Sequence, residues 1–136
     1  MRLLMLAVLM LCLSQPIAGR AQDPGAAIRS VISDQIEAFR QDDFETAFSY
    51  ASQNIKRMFG DPETFGAMVR NGYPMVWRPA DVRFSNLSRA RGTFVQNVLV
   101  TDGSGALHIL EYEMVESENG WRINGVSMRR PGDAGA

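Results

Sequence analysis

The chain has 136 residues, with 14 lysines and arginines against 15 aspartates and glutamates, one histidine and one cysteine. No basic block stands out, which argues against a nucleic-acid binder or a protein held on an anionic membrane surface. One cysteine excludes a disulfide framework, and one histidine leaves no clustered ligand spacing for a metal.

The first residues read as an export signal. Arg2 supplies a positive start, Leu3 to Leu13 form an apolar run, and Ser14-Gln15-Pro16 breaks it. Gly19 and Ala21 are small at the two positions that a signal peptidase reads, so cleavage is expected after Ala21. The run is too short for a membrane anchor, which needs roughly 20 apolar residues. A lipid attachment at Cys12 is rejected because Leu11 precedes it where a small residue is wanted. Cleavage leaves 115 residues, 12 of them basic and 15 acidic since Arg2 and Arg20 depart, and no cysteine. That length suffices for one domain with its own core, expected over 22–130, and the apolar-poor tail 131–136 is expected to fray. The expected compartment is the periplasm, with no stable membrane insertion after cleavage.

Asp23-Pro24 is an N-cap followed by proline at the first helical position. Behind it Ile28, Val31, Ile32, Ile36 and Phe39 recur at helical spacing, which predicts a first helix to about Gln41. Asp42 or Asp43 caps a second helix with Phe44, Ala47, Phe48 and Ala51 on one stripe. Residues 54–59 fit either a helical turn or a brief strand. Asp61-Pro62 repeats the cap signature and opens a third helix, with Phe65, Met68 and Val69 inward and Gly72 as its stop. Pro74 and Pro79 then bracket a short piece that reads as extended.

From Val82 the apolar period changes to two. Turns at Arg91-Gly92, Asp102 to Gly105 and Asn119-Gly120 divide strands 82–90, 93–101, 106–116 and 121–129. Helices followed by an antiparallel meander make the chain α+β. A four-residue loop at 102–105 sets Leu99 opposite His108, Asn97 opposite Leu110 and Val95 opposite Tyr112. The second hairpin sets Trp121 opposite Glu118, and a bulge at Asn124-Gly125 restores the phase of the residues after it. One face then collects Val95, Leu99, Leu110, Tyr112, Met114, Trp121, Ile123, Val126 and Met128 against the helices. The other carries Glu111, Glu113, Arg122 and Arg129, with an apolar end of Val98, Val100, Leu107 and Ile109.

Three helices and a curved antiparallel sheet ending in Gly-Trp-Arg-Ile (120–123) resemble the nuclear transport factor two-like superfamily. More narrowly, residues 54–79, "NIKRMFGDPETFGAMVRNGYPMVWRP", with 120–128, "GWRINGVSM", resemble the bacterial family called domain of unknown function 4864. The resemblance implies a cone of helices and sheet around a pocket. It brings no reaction. A two-histidine dehydratase site is impossible with one histidine. An isomerase site resembling that of ketosteroid enzymes would need a tyrosine on the first helix, where Phe39 stands, and inward acids where Glu111 and Glu113 point out.

The candidate pocket residues are Tyr73, Trp77, Arg78, Asn97, His108 and Tyr112. Tyr73, Trp77 and Arg78 sit at the helix-to-sheet junction, either as a lip whose guanidinium holds an acid or as a rigid connector. His108, Asn97 and Tyr112 converge on the helix-covered face in the expected register, as a small-molecule site requires. His108 so close to the hairpin can also be bonded locally. The expectation is a binding or interaction module for a small apolar or acidic molecule, without cofactor or metal. The alternatives are an enzyme with His108 as general acid/base, and a docking or homodimer surface on the outer sheet face.

Overall fold

The computed structural model of the protein describes residues 23–129; the export signal expected over 1–21 and the tail 131–136 lie outside them. Helix α1 (Pro24–Arg40) starts where expected, with the Asp23 side chain accepting from the Gly25 N–H. Ile28, Ile32, Ile36 and Phe39 form its buried stripe. Asp42 then turns the chain with a left-handed φ of 53°, and Asp43 caps α2 (Phe44–Ser49) through the Thr46 N–H at 3.2 Å.

Residues 54–59, open in sequence, belong to a helix, α3 (Gln53–Phe59). The Ser52 side chain caps it by accepting from the Ile55 N–H, and Gly60 at φ 84° ends it. Its start is tied to the sheet, because the Ser52 N–H donates to the Ile123 carbonyl and Ser52 Oγ donates to Asn124 Oδ1 at 2.7 Å. Asp61 caps α4 (Pro62–Gly72) through the Thr64 N–H at 2.7 Å. Within it Gly66 is obligatory, since a Cβ there would come within 2.5 Å of the Phe44 ring. The piece expected to be extended after Pro74 is instead one helical turn, α5 (Pro74–Trp77), with Pro74 pre-set at its first position. Among the described residues, five helical segments rather than three therefore precede the sheet.

The sheet is an antiparallel meander of four strands in the order β1 (Asp81–Ala90), β2 (Thr93–Thr101), β3 (Leu107–Ser117) and β4 (Gly120–Arg129). Arg91 and Gly92, with φ of 54° and 80°, make the tight first turn. The β2–β3 pairing differs from the expected register by one residue. Val100 faces His108, Val98 faces Leu110 and Gln96 faces Tyr112. The cause is local, because Asp102 closes a loop of five residues rather than four. Its backbone N–H donates to the Ala106 carbonyl, while its Oδ1 accepts from Ser104 N–H, Ser104 Oγ and Ala106 N–H. A one-residue slip exchanges faces. Gln96, Val98 and Val100 are thus fully buried under the helices, and Val95, Asn97 and Leu99 point to the other side.

In β3–β4 the pairing moves by two, with Trp121 opposite Glu116, so the faces keep their expected sides. The bulge falls where expected. Ile123 pairs with Met114 and Gly125 with Glu113, leaving Asn124 as the extra residue. Trp121, expected in the core, is only half-buried and packs edge-on against Phe94 at 5.1 Å. Met128, also placed on the helix-covered face, is 50% exposed at the sheet margin. Helices cover one face of an open antiparallel sheet, and the core lies between them. Among the described residues no helix is long and apolar enough to cross a membrane.

Candidate functional site

A cavity of about 210 Å³ opens between the helices and the β3–β4 half of the sheet. Each element presents to it the residues its period allows. Gln35 and Phe39, four apart on α1, form one wall, and Phe65, Met68 and Val69 of α4 form another. Ile55, Met58 and Phe59 line it from α3, a helix none of whose residues is fully buried. The floor is Tyr112, Ile123, Gly125 and Val126, and the Asn124 bulge is what lets both Ile123 and Val126 face inward.

Of the 15 lining residues, only Gln35, Tyr73 and Tyr112 bear polar side-chain groups, and none is charged. Gln35 Nε2 donates to the Ala47 carbonyl at 3.1 Å. The Tyr73 hydroxyl donates to the Val126 carbonyl at 2.9 Å. The Tyr112 hydroxyl, on a wholly buried residue, has no hydrogen-bond partner among the described residues. Burial first, and then the neighbouring Tyr73, push its ionisation well above the usual tyrosine range. It therefore stays a neutral donor.

The chain belongs to the family described as domain of unknown function (DUF4864), whose model matches residues 21–136. No curated protein matches the chain. The two stretches that resemble the DUF4864 family are the ones that build the cavity. Residues 54–79 supply eight lining residues and 120–128 supply three, together 11 of the 15. In this DUF4864 protein the 54–79 stretch is α3, α4 and α5 in succession, with α3 against the bulged strand β4 and α5 against β2.

Of the six residues singled out in the sequence, Tyr73 and Tyr112 line this cavity and the other four do not. Trp77 and Arg78 are engaged elsewhere. The Arg78 guanidinium lies 4.1 Å over the Trp77 ring, and its Nη1 donates to the carbonyls of Phe39 (2.7 Å) and Trp77 (3.0 Å). Its Nη2 reaches Asp42 Oδ1 at 2.9 Å, and Trp77 Nε1 donates to the same oxygen at 2.8 Å. The bonds from Trp77 and then Arg78 hold the Asp42 carboxyl below the usual range. Together they fasten the α1–α2 corner to the chain entering the sheet.

Asn97 stands on the outer face, so it does not converge with Tyr112. His108 sits at the edge of the inner face, where its Nε2 lies 2.7 Å from Asp102 Oδ2. The Asp102 carboxyl is held far below the usual range, by Ser104 above all and then by His108. On the outer face the expected apolar end changes members, because Val98 and Val100 are core residues while Leu99, paired with Ile109, joins Leu107 and Ile109 there. A second hollow of about 440 Å³, near the start of α3, is lined by polar and oppositely charged groups such as Lys56, Glu118 and Arg122. Its wall mixes polar and apolar surface and carries no field of one sign. Among the described residues no group of three acidic, histidine or cysteine side chains is placed to hold a metal. The residues that sequence reasoning missed are those of α3, although Ile55, Met58 and Phe59 already show helical spacing.

Proposed function

We propose that this protein is an exported small-ligand-binding module, a cone of the nuclear transport factor two-like kind, that holds an apolar molecule between its helices and sheet. The observation that carries the reading is the cavity wall, with 12 of 15 lining residues free of polar side-chain groups and none charged. Apolar clefts with a few placed polar groups are the usual form of a small-molecule site. Binding is favoured over catalysis because the only titratable lining groups are Tyr73 and Tyr112, which leaves no general base suited to neutral pH. His108, the candidate acid/base, is bonded to its own hairpin loop instead. Export is supported by the positive start, the short apolar run and the small residues before Gln22, and the family match begins at residue 21.

Native mass spectrometry of the protein recovered from the exported fraction of its host reads both parts. The expected mass is that of residues 22–136, allowing for cyclisation of Gln22, plus a small neutral adduct. Val126→Phe, which fills the cavity, should lose the adduct. A chain retaining residues 1–21 overturns export, and the same adduct state in both proteins overturns the cavity as the binding site.

A further inference from the structure

The three polar groups of the cavity wall are not equivalent. Gln35 spends one amide donor and Tyr73 its single hydroxyl donor on backbone carbonyls, whereas the Tyr112 hydroxyl has no partner among the described residues. A buried donor left unpaired is unfavourable, and a partner that arrives with a ligand relieves that cost. Among the described residues no cation lines the wall, so an anionic ligand would lose its hydration without gaining a counter-charge. Size narrows the class further. A cavity of about 150 Å³ holds benzene, so about 210 Å³ suits a single ring with a short substituent.

From this we infer that the ligand is a neutral molecule of one-ring size carrying a hydrogen-bond acceptor, such as an aryl ketone or ester. Tyr112 is the residue that selects it. The inference rests on the binding reading above and deepens it. The hydroxyl lies behind the cavity surface, so an acceptor meets it when the wall gives slightly. That wall contains flexible side chains, Met58 and Met68, and a glycine, Gly125. The phenol stays protonated across the physiological range, so the selection does not vary with pH there.

Three probes of equal heavy-atom count separate the possibilities: acetophenone with a neutral acceptor, cumene with none, and benzoate with a charge. Their affinities are measured by calorimetry on the whole protein and on Tyr112→Phe. The preference for acetophenone over cumene should fall on the order of fivefold in Tyr112→Phe, while benzoate binds neither protein. The free variant should melt no lower than the parent, since the lost hydroxyl had no protein partner. An unchanged preference, with both neutral probes still bound, overturns Tyr112 as the selector and leaves the cavity reading standing. Failure of both neutral probes on the parent protein overturns the cavity reading itself. Benzoate binding as tightly as acetophenone overturns the neutral class. A clear loss of melting temperature in the free variant assigns the hydroxyl a structural partner and overturns the inference.

Discussion

The α5 junction and the cavity both set aromatic side chains beside polar groups and end in opposite states. At the junction Trp77, Arg78 and Asp42 share hydrogen bonds until the aromatic and the cation have partners within the chain. In the cavity, a few residues away, Tyr73 is tied to the Val126 carbonyl while Tyr112 carries a hydroxyl with none. Aromatic and basic residues near a rim are thus poor markers of a binding site by themselves. What marks this one is an apolar cavity whose wall includes a buried, unpartnered polar group, since Gln96 Oε1 is equally without a partner among the described residues and does not line the cavity.

The largest effect that tests this contrast comes from Phe39. Its ring is 1% exposed, sits 5.9 Å from Phe65 and forms cavity wall, while its carbonyl receives Arg78. Phe39→Ala should cost about 3–5 kcal/mol in denaturant unfolding. A cost under about 1 kcal/mol would mean that the cavity wall collapses freely, and the division between tied joint and open cavity would dissolve.

Next comes Arg78. Arg78→Ala removes the bond to the Phe39 carbonyl and should cost about 1 kcal/mol. The ion pair with Asp42 adds little, because both side chains are substantially exposed. Arg78→Lys should recover only part of the loss, since an ammonium cannot serve the Phe39 carbonyl and Asp42 in one fork. Neither change should alter affinity for a neutral cavity ligand. Weakened binding in Arg78→Lys, at unchanged melting temperature, would return Arg78 to the site.

The smallest effect is expected at Asp102. Its folded ionisation is depressed, so the stability it contributes is present above the unfolded carboxyl value of about 3.9 and is lost as pH falls through the lower folded value. Asp102→Asn should therefore flatten the acid limb of melting temperature against pH and leave cavity binding unchanged. An acid limb as steep as that of the parent would mean that other carboxylates set it.

Much of this architecture can be read from short signals. Asp23-Pro24 and Asp61-Pro62 announce their helices because the cap and the fixed proline act within a few residues. Asn124-Gly125 announces its bulge for the same reason. The β2–β3 register was not legible, because it depends on how Asp102 spends its oxygens inside the loop, and one residue of loop length exchanges the faces. Trp121 faces as its alternation requires but lies near the sheet end, where Phe94 rather than a helix covers it. The lack of a partner at Tyr112 was out of reach altogether, since it is a property of every neighbour together and of no local pattern.

The bulge at Asn124 also bears on which changes of length the fold can absorb. Ile123 and Gly125 pair with consecutive residues of β3, so Asn124 is a residue that the ladder does not count. Deleting it would leave Ile123 and Val126 on the face they already share. Deleting a residue of β4 outside the bulge would exchange the faces on one side of the gap. The use of Asn124 lies in its side chain, which accepts from Ser52 Oγ and donates to Glu113. The residue that the sheet can spare is therefore the one that moors the start of α3. A one-residue deletion there should keep the strand and loosen the helix, and with it the Ile55, Met58 and Phe59 side of the cavity.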